Sequence, residues 1–220
     1  MSLMKKGKLD DLLDQYLELL KQIDIRFEQA IQYHETQVTC FAGCRGCCQG
    51  IFEITLLDGL LLYRKLHSKD VLTQGALAQA KKLDHEVTAA GWSYPHSFTD
   101  EEEERLGDAL MRLDGEPCPL LNRNGQCRMY AYRPSICRFQ GIPFVDPTTG
   151  AILEDECPLE PPGRHRVDFD LFKFNQEEER IFAKFVELVP ELGNRELGDW
   201  DTIIPSVVLW GQGRSSSRKR

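Results

Sequence analysis

Several things are missing from this chain, and each absence removes a class of function. No stretch of about eighteen consecutive apolar residues occurs, so no segment reads as a membrane-spanning helix. Positive charge is not in excess: 27 Lys and Arg against 35 Asp and Glu give a formal net charge of −8. A general nucleic-acid binder carries the opposite, basic footprint. There is no basic-then-apolar signal segment at the N-terminus, which points to a reducing, cytoplasmic setting where disulfides are rare. Met1-Ser2-Leu3 ahead of Met4 reads as a cloning remnant. The Gly-x-x-x-x-Gly-Lys-Ser/Thr phosphate loop, the Gly-x-Ser-x-Gly elbow and the His-Glu-x-x-His zinc helix are all absent. Histidine is scarce and scattered, at 34, 67, 85, 96 and 165. Each reads as structural or exposed, and His165, between Arg164 and Arg166 and eight residues after Cys157, is the one to watch as a ligand.

Cysteine is abundant instead. Cys40, Cys44, Cys47 and Cys48 crowd into nine residues, and Cys118, Cys127, Cys137 and Cys157 follow. Glycines 43, 46 and 50 allow tight backbone turns around the first group, because Gly reaches positive φ without a Cβ clash. Cys44-x-x-Cys47 is the spacing at which two thiolates reach one tetrahedral metal. In the second group, Asn124-Gly125 is a turn signal that makes Cys118 and Cys127 flank a hairpin, with Cys137 one short segment later.

Three readings compete for these sulfurs. Eight thiols could pair as four disulfides, or act as small buried hydrophobes, or ligate metal. Four cysteines in nine residues, interleaved with glycines and an arginine, do not resemble a core strand or helix face, so ligation is the favoured reading. The vicinal pair Cys47-Cys48 constrains it further. Neighbouring side chains diverge, so these two serve separate centres, share a polynuclear cluster, or leave one sulfur as a spectator. Four thiolates around a divalent zinc leave about two excess negative charges. Arg45, Arg128, Arg133 and Arg138, close to the sulfurs in sequence, are candidates to offset that charge, with Arg45, Arg133 and Arg138 assigned to the cofactor.

Cys44-x-x-Cys47-Cys48, Cys118-Pro-Leu, Gly125-x-Cys127-x-x-Tyr130, Arg133-Pro134-x-x-Cys137-Arg138 and the trailing Cys157 together resemble the bacterial CxxCxxCC, or YkgJ-like, family of zinc- or iron-chelating proteins. The family includes iron–sulfur oxidoreductases and the related flagellin lysine methylase. The resemblance implies a metal- or cluster-binding module and fixes no reaction. Many members have two residues between the first two cysteines; here Cys40 and Cys44 are separated by three. The resulting Cys-x-x-x-Cys-x-x-Cys spacing is also that of radical S-adenosylmethionine enzymes. Those usually place an aromatic before the last cysteine, where this chain has Gly46.

The expected fold is mainly α with short β-hairpins, with an irregular cysteine-ligated centre packed between helices. Apolar residues at helical spacing from Leu9 to Tyr33 predict a long amphipathic helix; further helices are expected over 55–66, 73–90, 100–113 and 175–188. Thr99 and Glu102 form a capping box that explains the acidic run Asp100–Glu104 as a helix start, with a calcium loop as the alternative. Ile142–Val145 and Ala151–Leu153 read as two strands around a turn. Trp92, Tyr94 and His96 fall in a loop and are candidate pocket residues. The expected organisation is an N-terminal helix over 1–39, a cysteine-rich domain over 40–160, a helical segment over 161–210 and a basic tail over 211–220.

Function is therefore expected to be metal or iron–sulfur-cluster binding in a redox or electron-transfer role, with an unidentified redox or other protein as partner and with no nucleic acid and no membrane. The cofactor is an iron–sulfur cluster, of the four-iron type, or zinc. An enzymatic role would be that of an iron–sulfur oxidoreductase; a zinc-stabilised, non-enzymatic partner-binding module and a radical S-adenosylmethionine enzyme are the alternatives. Metal ligands are expected at Cys40, Cys44, Cys47, Cys48, Cys118, Cys127, Cys137 and Cys157. Cys44, Cys47, Cys127 and Cys137 sit in the most specific motifs, leaving Cys40, Cys48, Cys118 and Cys157 for a second site or a shared cluster.

Overall fold

The computed structural model describes residues 3–33, 44–66, 72–91, 100–140, 144–145, 150, 152–153, 167–189 and 201–210. Cys40, Cys157, His165, Trp92, Tyr94, His96, the Thr99 cap, the 158–163 boundary and the basic tail lie outside them. The chain divides into two compact units, each assembled from two separate stretches: Met1–Cys47 with Arg133–Leu197, and Cys48–Tyr132 with Gly198–Arg220. Among the described residues no helix is long and apolar enough to cross a membrane.

The first unit is organised by α1 (Leu3–Tyr33). Leu12, Leu13, Tyr16, Leu19, Leu20 and Ile23 are buried, a stripe at helical spacing on the helix that packs against α6 (Leu171–Leu188). The Tyr16 hydroxyl donates to Glu178 Oε1 at 2.8 Å, giving a buried carboxylate a partner. Helix α6 starts four residues before the position its periodicity suggests, because Asp170 caps it by accepting from the Lys173 N–H at 2.8 Å. Between these helices in sequence come α5 (Ser135–Phe139), β2 (Phe144–Val145), β3 (Ile152–Leu153) and β4 (Val167–Asp168). Strand β2 pairs antiparallel with β3, as the sequence predicts, and parallel with β4. Phe139, Phe144, Phe169 and Phe174 meet edge-on or tilted, with ring centroids 5.2 to 5.8 Å apart.

The second unit holds β1 (Glu53–Ile54), α2 (Leu56–Leu66), α3 (Gln74–Ala89), α4 (Asp100–Arg112), a 3-10 turn (Tyr130–Tyr132), β5 (Thr202–Ile203) and α7 (Ile204–Leu209). Thr73 caps α3 by accepting from the Ala76 N–H at 3.2 Å. Thr55 does the same for α2 through the Asp58 N–H at 3.3 Å. The acidic run is a helix start, as read from sequence. The C-terminal stretch, which carries no decisive sequence signal, supplies much of this core. Ile204, Val207 and Val208 of α7 are buried with Ile54, Leu62, Leu66 and Ala80, and β5 pairs antiparallel with β1. Gly59 permits that approach: a Cβ there would lie 2.9 Å from the Thr202 methyl and 3.1 Å from the Trp210 ring.

Candidate metal centre

Six of the eight candidate cysteines lie among the described residues. Cys44, Cys47, Cys48, Cys118, Cys127 and Cys137 are all partly buried, and none is in a disulfide. The division into units falls between the vicinal pair, leaving Cys44, Cys47 and Cys137 in the first unit and Cys48, Cys118 and Cys127 in the second.

In the second unit, backbone pairing holds the thiols. The Cys118 N–H donates to the Cys48 carbonyl at 2.9 Å, the Gly50 N–H to the Glu116 carbonyl at 2.8 Å, and Gln49 bridges antiparallel to Pro117. This register puts Cys48 opposite Cys118, so their side chains share one face, with Cβ atoms of such a pair about 5 Å apart. Pro117 occupies the position that needs no N–H in the ladder, and Gly50 has φ +80°, the left-handed conformation favoured by glycine. Beyond it, Leu121 bridges antiparallel to Cys127. The Asn122 side-chain oxygen accepts from the N–H groups of Asn124 and Gln126, both at 2.9 Å, and Gly125 turns at φ +76°. The predicted hairpin is therefore present and carries Cys127 on its return arm, while Cys118 lies just before it. Cys118 and Cys127 both pack against the apolar cluster of this unit.

In the first unit, Cys44 and Cys47 lie at a tight turn over Gly46 and Cys47, with Arg45 exposed between them. Cys137 is in α5, whose N-cap is Pro134 and has no side-chain cap bond. Side chains hold this turn of helix. Arg138 is 1% exposed; its Nε donates to the Arg133 carbonyl at 3.0 Å and its Nη1 to Asp24 Oδ2. Arg133 Nη2 donates to Asp24 Oδ1 at 2.7 Å. Asp24 carries no motif signal, and only the fold brings it to the Arg-Pro-x-x-Cys-Arg element.

The described donors suit a soft metal centre, since thiolate selects zinc, copper(I) or iron–sulfur clusters over hard cations. Arg128, adjacent to Cys127, has a buried Nε with no hydrogen-bond partner among the described residues, a donor suited to thiolate charge. It lines a groove of about 660 Å³ between Thr73–Ala76 at the start of α3 and Leu121–Asn124 of the hairpin. Among the described residues, no group of three or more His, Cys, Asp or Glu side chains is gathered around a common point as an ion requires. His85, the one described histidine, is exposed. Away from the thiols, Asp201 is pushed up to about 6, by burial first and then by the charges of Glu53 and Asp58. Glu116 is held below the usual carboxylate range by hydrogen bonds from Lys82 and Gln79.

A family model described as "CxxCxxCC: Putative zinc- or iron-chelating domain" matches residues 39–158, more than half of the chain. Comparison with curated proteins and with solved structures gives no match. The matched interval contains all eight cysteines and the Arg-Pro-x-x-Cys-Arg element, which supports metal binding. On that match, the chain belongs to the CxxCxxCC family of zinc- or iron-chelating domains.

Proposed function

We propose that this protein binds an iron–sulfur cluster through its cysteine thiolates and serves in electron transfer. The observation that carries the reading is the donor set: six described cysteines, all partly buried, at a tight turn, at short backbone pairings and in the five-residue helix α5. In this reading the six described cysteines are the thiolate donors, Cys44, Cys47 and Cys137 from one unit and Cys48, Cys118 and Cys127 from the other, with Cys40 and Cys157 as further ligands.

A bound cluster supplies a one-electron couple whose potential follows its charge, its hydrogen bonds and its exposure. The chain's part is to present thiolates from fixed backbone and to keep Arg128, Arg133 and Arg138 near them. Guanidinium groups offset thiolate charge and donate several hydrogen bonds, which raises the potential of a nearby cluster.

Zinc is the second reading, favoured by the way short elements carry the thiols of the second unit. Single-residue bridges and a five-residue turn have little stability of their own, and loops of that kind are what a structural zinc holds together. The protein would then present a fixed surface to a protein partner. Iron, zinc and acid-labile sulfide, measured per chain after anaerobic purification, separate the two. Iron with sulfide is expected; zinc without sulfide favours the second reading, and metal-free reduced protein overturns both.

A further inference from the structure

A helix of five residues does not hold itself, since nucleation costs more than so few hydrogen bonds return. Helix α5, which carries Cys137, is such a helix and has no side-chain cap. Its fixed orientation therefore comes from tertiary anchors. One is Phe139, in the aromatic cluster with Phe144, Phe169 and Phe174. Another is Asp24 of α1. One of its carboxylate oxygens accepts from Arg133, four residues before Cys137, and the other from Arg138, the residue after it. Arg138 also closes back onto the Arg133 carbonyl at 3.0 Å. Three side chains and one carbonyl thus form a closed loop of polar contacts around the segment that bears the thiol.

We propose that Asp24 is a positioning residue for Cys137. Acting through Arg133 and Arg138, it fixes the direction in which α5 presents its thiol and keeps both guanidinium groups beside it. Removing the carboxylate leaves buried Arg138 without this counter-charge. The guanidinium then moves toward water and takes the short helix with it. The inference rests on the reading of Cys137 as a metal ligand.

The test compares Asp24→Asn, Asp24→Glu and Tyr16→Phe with the parent, all as full-length chain. Tyr16→Phe removes a different buried polar contact of α1, the one to Glu178, and serves as the control for simple loosening of α1. Two quantities are read well below every melting temperature: iron or zinc retained against a chelator, and the alkylation rate of Cys137 relative to Cys127 in reduced, metal-free protein. Asp24→Asn is expected to weaken metal retention roughly 10–100-fold, the range for residues that orient ligands, and to change the relative reactivity of Cys137. Asp24→Glu, which keeps the charge, recovers part of both, whereas Tyr16→Phe lowers the melting temperature and changes neither. Parent-like retention and reactivity in Asp24→Asn overturn the proposal, as does an equal change in Tyr16→Phe. If Asp24→Asn does not fold, Asp24→Glu decides by the same two readings: a shifted Cys137 reactivity supports the role and a parent-like one overturns it. Full metal retention in Cys137→Ser would instead sink the ligand assignment, and the metal-free alkylation comparison would still decide the role of Asp24.

Discussion

The two units hold their cysteines by different means. In the second, main-chain groups do it: the Cys118 N–H on the Cys48 carbonyl, and the hairpin that bridges Leu121 to Cys127. In the first, Cys137 depends on charged side chains, with Arg138 and Arg133 closed on Asp24. Backbone pairing survives most side-chain changes, whereas a buried ion pair fails when one member is lost. The two thiol groups should therefore respond differently to substitutions around them.

The largest effects test whether the thiols act as ligands at all. Replacing Cys44, Cys47, Cys127 or Cys137 with Ser is expected to lower bound metal and the melting temperature. Structural zinc sites in small peptides contribute roughly 10–16 kcal/mol of apparent binding energy, against a net stability of roughly 5–15 kcal/mol for a typical domain. Metal analysis and thermal melts of all four variants check this, and parent-like values throughout would remove them as ligands.

Next comes the contrast itself. Arg138→Ala breaks a buried pair and is expected to cost about 3–5 kcal/mol, together with part of the metal. Arg133→Ala, at a less buried end of the same contact, costs less. Substituting the exposed Arg45, which neighbours two thiols in sequence, leaves stability within about 0.5 kcal/mol. Chemical denaturation with metal retention measured in parallel orders the three; an Arg45 effect as large as that of Arg138 would break the comparison.

Gly59→Ala probes the second unit away from its thiols. The added methyl would sit 2.9 Å from Thr202 and 3.1 Å from Trp210, so overpacking of about 1–3 kcal/mol is expected, with metal still bound once the variant is folded. Denaturant titration of the variant with metal content measured alongside checks both halves.

The smallest effect is on pH. Asp201, with its folded-state value raised to about 6, binds a proton more readily in the folded than in the unfolded chain. Its contribution is fully present below the unfolded value and is lost as pH rises through about 6. Because the group is only partly buried, solvent screening keeps the effect to about 1 kcal/mol or less. Asp201→Asn is expected to flatten the pH dependence of stability between about 4 and 7; an unchanged slope would remove Asp201 as its source.

What the sequence made legible follows from how local each signal is. Helices α1 to α4 were readable because a periodic apolar stripe or a Thr cap lies within the element itself. The Asn124-Gly125 turn and the β2–β3 pair were readable because turn chemistry is local as well. Helix α7 was not: six residues, nearly all apolar, with Pro205 in the first turn, take their stability from α2 and α3 rather than from any internal pattern. Strand β4, which joins β2 in parallel, and the register that opposes Cys48 to Cys118 are long-range pairings with no local mark. For the site, residue types and spacing exposed the candidate cysteines and flanking arginines, but not Asp24. An aspartate between Ile23 and Ile25 on a helix reads as an ordinary solvated charge until the fold sets it against Arg133 and Arg138.

The most direct test of the central proposal is iron and acid-labile sulfide per chain in anaerobically purified protein. Iron and sulfide bound together, in a brown protein that loses both on Cys44→Ser, is the predicted result. Reduced protein that binds zinc alone, or no metal, would contradict the assignment of an iron–sulfur electron carrier.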